Sequence, residues 1–195
     1  MADTLTSDRL ALRPWRESDA EEAWEIYHHP EVARWLHPAV TRPTSVAEMR
    51  ELLRVWIREN EEALPPVGHW AIERNADGAL LGGIVLEEMP PDREDLEIGC
   101  QLHPRFWGHG YATEAFRTLL RWAFQEQGVY EVFSVVRPRN RRAEAIAKRL
   151  GMEWVGETDK YYGLRLQVYR LRAGDLDHPP PGEPPRDDET SLGAD

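Results

Sequence analysis

Apolar and polar positions follow two rhythms along this chain, one of period two and one near 3.6, and the switches between them mark its elements. Leu10-Ala11-Leu12-Arg13 predicts a short strand that Pro14 ends. Ser18-Asp19-Ala20-Glu21 has the form of a capping box, and Ala23, Trp24, Ile26 and Tyr27 follow at near-helical spacing. A second box, Ser45-Val46-Ala47-Glu48, opens a helix with Met49, Leu52, Leu53, Trp56 and Ile57 on one side, and Pro65-Pro66 lies beyond its end. Two β runs over 69–74 and 80–88 flank Asn75-Ala76-Asp77-Gly78, a hairpin signal. An acidic, proline-marked loop over 90–95 leads into a strand over 96–102. The helix from 112 to about 127 then places Ala112, Ala115, Phe116, Leu119, Leu120 and Ala123 on one face. Residues 129–136 form an apolar and aromatic run, the pattern of a strand buried on both faces. Asn140 caps a helix carrying Ala143, Ile146, Ala147 and Leu150, with Gly151 as its C-terminal stop. Two last strands, 153–157 and 164–171, flank the turn Lys160-Tyr161-Tyr162-Gly163. The order β-α-α-β-β-β-α-β-α-β-β implies an α+β, mixed α/β fold whose sheet carries helices on both faces.

Composition changes that picture at one end. Residues 177–195 hold five prolines, six acids and one base, and account for −5 of the net charge of −11. Such a segment cannot bury enough apolar surface to offset its ordering entropy. One domain over 1–176 and an acidic, proline-rich disordered tail over 177–195 are expected. No apolar run reaches the roughly 20 residues of a membrane span, so no membrane partner is expected. Met-Ala-Asp-Thr-Leu-Thr lacks the basic-then-apolar form of a signal peptide. A single cysteine, Cys100, allows no internal disulfide and fits a cytoplasmic protein. The negative balance argues against nucleic acid as a partner. Seven histidines without ligand spacing give no metal site.

Candidate chemistry begins at Arg105-Phe106-Trp107-Gly108-His109-Gly110-Tyr111-Ala112, a strand-to-helix turn. Glycine lets the backbone approach a ligand, and amides at a helix head backed by the helix dipole hold anions, most often phosphate. The competing reading is a plain tight turn. A GTPase-type loop is excluded, because no Gly-Lys-Ser/Thr follows.

Together, Glu97-Ile98-Gly99, Arg105-x-x-Gly108-x-Gly110-Tyr111-Ala112-Thr113-Glu114-Ala115, Asn140 and Arg149-Leu150-Gly151-Met152 resemble the GCN5-related N-acetyltransferases. Within that superfamily the chain is most similar to the ribosomal-protein alanine acetyltransferase branch, over about 5–171. The resemblance implies a mostly antiparallel central sheet in which the strand over 96–102 splays from the one over 129–136. It implies acetyl-CoA as co-substrate and no metal. The pantetheine arm would pair with the strand edge at Gln101 and Leu102 by strand addition. The diphosphate would meet Arg105, Gly108, His109, Gly110, Tyr111, Ala112 and Thr113, and Asn140 would touch the arm from the other side.

Glu97 is the candidate general base, since partial burial on that strand would raise a carboxylate's pKa toward useful values. The bland alternative is a strand glutamate paired with an arginine or facing solvent. Glu87, Glu88 and Asp95 are weaker rivals for the base, and together with Asp92 and Glu94 they read as a solvated acidic rim that attracts a cationic amine. Cys100, in an apolar strand, is expected to be inert. Arg137, Arg139, Arg141 and Arg142 form a basic cluster, balanced between phosphate attraction and a solvated loop. Trp35 and Tyr161 are candidates for the amine wall. The family often reads Asn-x-x-Ser, with the Ser on the coenzyme sulfur, where this chain has Asn140-Arg141-Arg142-Ala143. The expectation is an N-acyltransferase acting by direct attack of a small-molecule or peptide amine in a ternary complex. A non-catalytic acyl-CoA-binding module and a nucleotide-binding regulator are the alternatives. A homodimer through the last strands is a further expectation.

Overall fold

The structure, a computed structural model, describes residues 4–38 and 40–176, and the expected tail over 177–195 lies outside them. The strands are β1 (Leu5–Thr6), β2 (Leu10–Pro14), β3 (Gly68–Arg74), β4 (Leu80–Glu88), β5 (Leu96–Leu102), β6 (Glu131–Val136), β7 (Glu153–Thr158) and β8 (Leu166–Arg172). The helices are α1 (Ala20–His28), α2 (Pro30–Ala33), α3 (Val46–Glu62), α4 (Tyr111–Gln125) and α5 (Arg141–Arg149). Among the described residues eight strands form one sheet in the order β1-β2-β3-β4-β5-β6-β8-β7. Neighbours run antiparallel except β5 and β6, which run parallel.

Period-two alternation explains the two layers of helices. Trp70 and Ala71 are successive residues of β3 and so face opposite ways. Trp70 packs in the core that α4 supplies with Ala115, Phe116, Leu119, Leu120 and Ala123. Ala71 belongs to the other core, built by Ala23, Tyr27, Leu53 and Trp56 of α1 and α3. The mixed, mostly antiparallel sheet with helices on both faces is therefore as the sequence predicted.

Three local expectations need correction. Ser18 does not cap α1. Residues Glu17–Asp19 form a 3-10 turn, and Asp19 stands at the N-cap with helical backbone. The Asp19 carboxylate accepts two bonds from Arg13, at 2.8 and 3.0 Å, and one from the Arg16 amide at 2.9 Å. Arg13 and Asp19 are both buried, and a buried charge must be paired before any other use of it. Next, the strand expected from 129 starts at Glu131, and Tyr130 is exposed. Finally, β6 is only half-buried at Ser134 and Val135, because those residues border a gap in the sheet. Ser45 does cap α3, its Oγ accepting from the Glu48 amide at 3.2 Å, but the Glu48 carboxylate accepts from the amide of Thr44, one residue before the cap, at 2.7 Å. Among the described residues no helix is long and apolar enough to cross a membrane.

Candidate active site

The gap arises because β5 and β6 share a single register pair, Glu97 with Phe133. C-terminal to it, residues 98–102 of β5 keep β4 on one side and have no strand on the other. A cavity of about 90 Å³ occupies that divergence, with Trp35, His37, Gly99, Gln101, Arg137 and Asn140 among its lining. Unpaired backbone groups along such an edge can be satisfied by an extended ligand carrying amides of its own.

Past Leu102 the chain turns into α4 through Gly108 (φ 80°) and Gly110 (φ 79°), left-handed backbone that favours glycine. A Cβ on Gly108 would meet nothing within 4 Å, so that glycine faces open space. The first amide of the helix to find an intrahelical carbonyl is that of Glu114, on Gly110 O at 3.1 Å. Among the described residues, the amides from Gly108 to Thr113 meet no protein acceptor outside regular secondary structure. Opposing polarity is turned away from them: Arg9 Nη1 donates to His109 O at 3.0 Å. The Arg9 side chain is itself held by Glu114, with Nε on Oε2 at 2.7 Å. The result is a run of donors without protein acceptors at the positive end of a fifteen-residue helix.

The sequence-derived site residues divide between that turn and its support. Tyr111 is buried, with the Arg9 guanidinium 4.6 Å above its ring, so only its backbone faces the turn. Arg105 stacks on Phe106 at 4.6 Å, bracing the turn. His109 is exposed, its Nδ1 2.9 Å from Trp107 O. Leu102 is buried, and its carbonyl takes the Trp107 indole N–H at 2.9 Å. Gln101 lines the cavity and its Oε1 accepts from Tyr27 at 3.4 Å. Asn140 caps α5, its Oδ1 accepting from the Ala143 amide at 3.3 Å. Of the basic cluster, Arg142 lies 3.8 Å over the Trp107 ring and Arg141 pairs with Glu144 at 3.0 Å. Arg137 lines the cavity, and its buried Nε has no acceptor among the described residues.

Glu97 is 2% exposed, at the apex of the gap. Its Oε2 accepts from the Tyr162 hydroxyl at 2.9 Å and lies 3.1 Å from His37 Nε2. The other ring nitrogen, His37 Nδ1, is 3.4 Å from Glu87 Oε1. Burial pulls the His37 pKa down, but its hydrogen bond to Glu97 and the charges of Glu97 and Glu87 outweigh that, and the net shift is upward. Burial raises Glu87, partly offset by His37. Burial and the neighbouring Glu97 charge raise Tyr162, so its proton is held for the carboxylate. Each ring nitrogen of His37 meets a different carboxylate, so the three side chains do not converge on one point. Among the described residues no group of His, Cys, Asp or Glu is placed to hold a metal ion.

Two expectations about the rim are corrected here. Glu87 is only partly exposed and faces His37, beside its register partner Glu97 on the neighbouring strand. Asp95 accepts from the Tyr161 hydroxyl at 2.8 Å and pairs with Lys160 at 3.3 Å. Tyr161 is packed with Met89, Phe133, Leu166 and Val168 and is not itself in the cavity lining, and Tyr162 is the tyrosine that reaches the Glu97 carboxylate. Trp35 does line the cavity. Cys100 is pushed up to about 12 by burial and is no nucleophile at neutral pH. Sequence reasoning missed His37. It lies in an irregular segment, and its partners stand 50 and 60 positions away, so no local pattern exposes it.

Comparison with known proteins fits this geometry. The family model described as Acetyltransferase (GNAT) domain matches residues 9–153. The FsC-acetyl coenzyme A-N(2)-transacetylase of Aspergillus fumigatus is 29% identical over 159 residues, covering 78% of this chain and 66% of that protein's length. The uncharacterized N-acetyltransferase YoaA of Bacillus subtilis is 24% identical, covering 83% of this chain and 89% of its own. Among solved structures, the ribosomal-protein-S5-alanine acetyltransferase from Vibrio fischeri superposes with a TM-score of 0.70 at 14% identity, over 90% of this chain and 99% of that one. An acetyltransferase of the same family from Bacillus anthracis gives 0.73 at 18% identity, over 88% and 99%.

Proposed function

Because this chain belongs to the GNAT acetyltransferase family and is an N-acetyltransferase, we propose that it moves an acetyl group from acetyl-CoA to a primary amine. The acceptor is a small molecule or a peptide N-terminus, and attack is direct, in a ternary complex. The observation that carries this is a coincidence of position. Free amides stand at one end of the β5 edge, and a buried carboxylate stands at the other.

The residues fit the co-substrate. Amides from Gly108 to Thr113 would hold its diphosphate, and the unpaired edge at Gln101 and Leu102 would hold its pantetheine amides. The unpartnered Arg137 Nε and Asn140 would meet the arm from the β6 side. Bound there, acetyl-CoA supplies an activated thioester.

What the chain itself does follows from Glu97. It takes a proton from the bound ammonium, which frees the nitrogen lone pair for attack. The C–N bond then forms as the C–S bond breaks. A backbone amide of 99–101 faces the place where carbonyl charge develops, and fixed dipoles there need no reorganisation. Positioning of both reactants removes the need for a covalent enzyme intermediate. Tyr162 is not the acid for the departing thiolate, since its hydroxyl is committed to Glu97 and its pKa is raised. Trp35 would form one wall of the amine site. Exposed Asp92 and Glu94 would draw a cation toward it.

A second reading, a non-catalytic acyl-CoA-binding module, is favoured by Ala143 standing where the family often has a serine. One experiment separates the two. The protein is incubated with acetyl-CoA and a panel of amines (polyamines, ornithine, aminoglycosides, Ala- and Ser-initiated peptides), and thiol release is followed. Amine-dependent release supports transfer. Tight coenzyme A binding with no release for any class supports the module.

The inferred setting is a reducing cytoplasm, consistent with the free thiol of Cys100. A homodimer would use edge strand β7, where Trp154 and Val155 are exposed, and sedimentation velocity tests it.

A further inference from the structure

We propose that Glu87, His37 and Glu97 act as one proton-exchange unit, in which a proton taken from the amine by Glu97 inside the cavity is balanced by a proton released from His37 through Glu87 to solvent. His37 is thus a positioning residue for Glu97 and the link by which the charge of the buried base is reset. The proposal rests on the acyl-transfer function above and deepens it.

The geometry sets the problem and its answer. The Glu97 side chain is 3% exposed and faces the cavity, so a bound amine and coenzyme would leave its proton no direct way to water. Glu87 is absent from the cavity lining, and its side chain is 23% exposed. His37 joins the inside carboxylate to the outside one, 3.1 Å from the first and 3.4 Å from the second. Its ring is held edge-on by Tyr162, with centroids 4.9 Å apart. The charged groups that act on the imidazole include Glu87 on β4 and Glu97 on β5, with Arg137 opposing them, while Tyr162, between β7 and β8, packs edge-on against the ring. Glu87 in turn feels His69 and Glu59.

Charge decides the order of events. An imidazolium between two carboxylates leaves the unit at a net charge of −1, suited to an incoming ammonium. When the ammonium N–H bond breaks and an O–H bond forms on Glu97, the charge that sustains the imidazolium disappears. The His37 Nδ1–H bond then breaks and an O–H bond forms on Glu87, which passes the proton to water. His37 Nε2–H stays on the Glu97 carboxyl throughout, so no ring flip is required. As the C–S bond breaks, the second nitrogen proton passes to the departing sulfur, and when the products leave, the Glu97 O–H bond breaks to solvent while the imidazole regains a proton from solvent through Glu87. Protons balance: of the two protons lost by nitrogen, one ends on sulfur and one, held on Glu97, ends in water, and the proton His37 releases during turnover is replaced.

Two measurements test this. In the apoprotein, the imidazole of His37 is titrated by nitrogen-15 NMR in wild type, Glu97→Gln and Glu87→Gln. The expected midpoint in wild type lies above the ordinary histidine value near 6.5, and each variant lowers it, by about one unit or more for Glu97→Gln. A midpoint that either carboxylate variant leaves unmoved overturns the proposal. This measurement needs no acceptor, so its failure is distinguishable from failure of the acyl-transfer function. In turnover with n-butylamine and acetyl-CoA, Glu87→Gln is expected to lower kcat about tenfold or more, with KM for acetyl-CoA unchanged. Added imidazole buffer is expected to recover part of that rate. A wild-type kcat in Glu87→Gln overturns the exchange route, and a raised KM for acetyl-CoA with unchanged kcat overturns it in favour of a scaffold role.

Discussion

Glu97 of β5 and Phe133 of β6 stand opposite one another as the one rung joining the two parallel strands, and the sheet opens immediately beyond them. That rung places a buried carboxylate at the apex of the opening. From there to Leu102 the edge runs five residues, about 17 Å at strand rise, before the chain turns into the glycine loop. A ligand anchored by phosphate at the loop and extended along the edge delivers its far end to Glu97.

Gly110 is the position where this anchoring is most sensitive to charge. Gly110→Asp adds a carboxylate at the amide turn, on a Cβ that would stand 3.5 Å from Arg9 Nη2, and is expected to weaken acetyl-CoA binding roughly a hundredfold or more, measured by calorimetry. Gly110→Asn carries nearly the same shape and the same left-handed backbone cost, about 1–2 kcal/mol for a side-chain-bearing residue. It is expected to bind far better than the Asp variant. Equal loss in both would show that strain, and not anion recognition, is what the glycine serves.

Glu97→Gln removes the base while keeping the side chain's size. Turnover on any accepted amine is expected to fall about 10²–10⁴-fold, with acetyl-CoA affinity unchanged. A rate within a factor of two or so of wild type would assign Glu97 a purely structural part.

The buried histidine also leaves a signature in stability. The folded-state pKa of His37 is raised, so its contribution is fully present below the unfolded value near 6.5 and is lost as pH rises through the folded one. Glu87, likewise raised, runs in the same direction, since the fold prefers its protonated form. The melting temperature of wild type minus that of His37→Gln is therefore expected to be largest near about pH 6 and to shrink toward about pH 8. A difference that grows with pH would contradict the assignment.

Gly82 marks a close approach of two strands. A Cβ built there would stand 1.9 Å from the Gln101 carbonyl oxygen, a backbone atom that cannot swing aside. Gly82→Ala is expected to cost about 1–3 kcal/mol in chemical denaturation, as overpacking does, and to displace the edge that the co-substrate uses. Full stability would mean that β4 and β5 separate easily here.

Removal of residues 177–195 is expected to leave the melting temperature unchanged, because Leu176 is the last residue of the main core and the composition beyond it is acidic and proline-rich. A drop of several degrees would show that this segment packs on the domain.

Much of this was legible in the sequence where period and chemistry coincide. The face Ala115, Phe116, Leu119, Leu120 and Ala123 of α4 repeats at helical spacing over about two and a half turns, and all five are buried. Gly108 and Gly110 mark the strand-to-helix turn by their spacing, while its reading as an anion site needed the wider resemblance. Ser18 does not cap α1 because the buried ion pair of Asp19 with Arg13, six positions earlier, overrides the capping pattern. Tyr161 and Tyr162 are neighbours in a turn, and sequence cannot say which one points inward. The structure sends Tyr161 to Asp95 and Tyr162 to Glu97. His37 was invisible for the same reason at larger scale, since only the fold brings it to Glu87 and Glu97.

The central claim, that main-chain donors at the head of α4 receive the diphosphate while the β5 edge receives the arm, is tested most directly by amide NMR of the protein titrated with acetyl-CoA. The account predicts that the largest shifts fall on the amides of Gly108 to Thr113 and on residues 99–102, saturating together. Saturable binding that leaves those amides unmoved would contradict it.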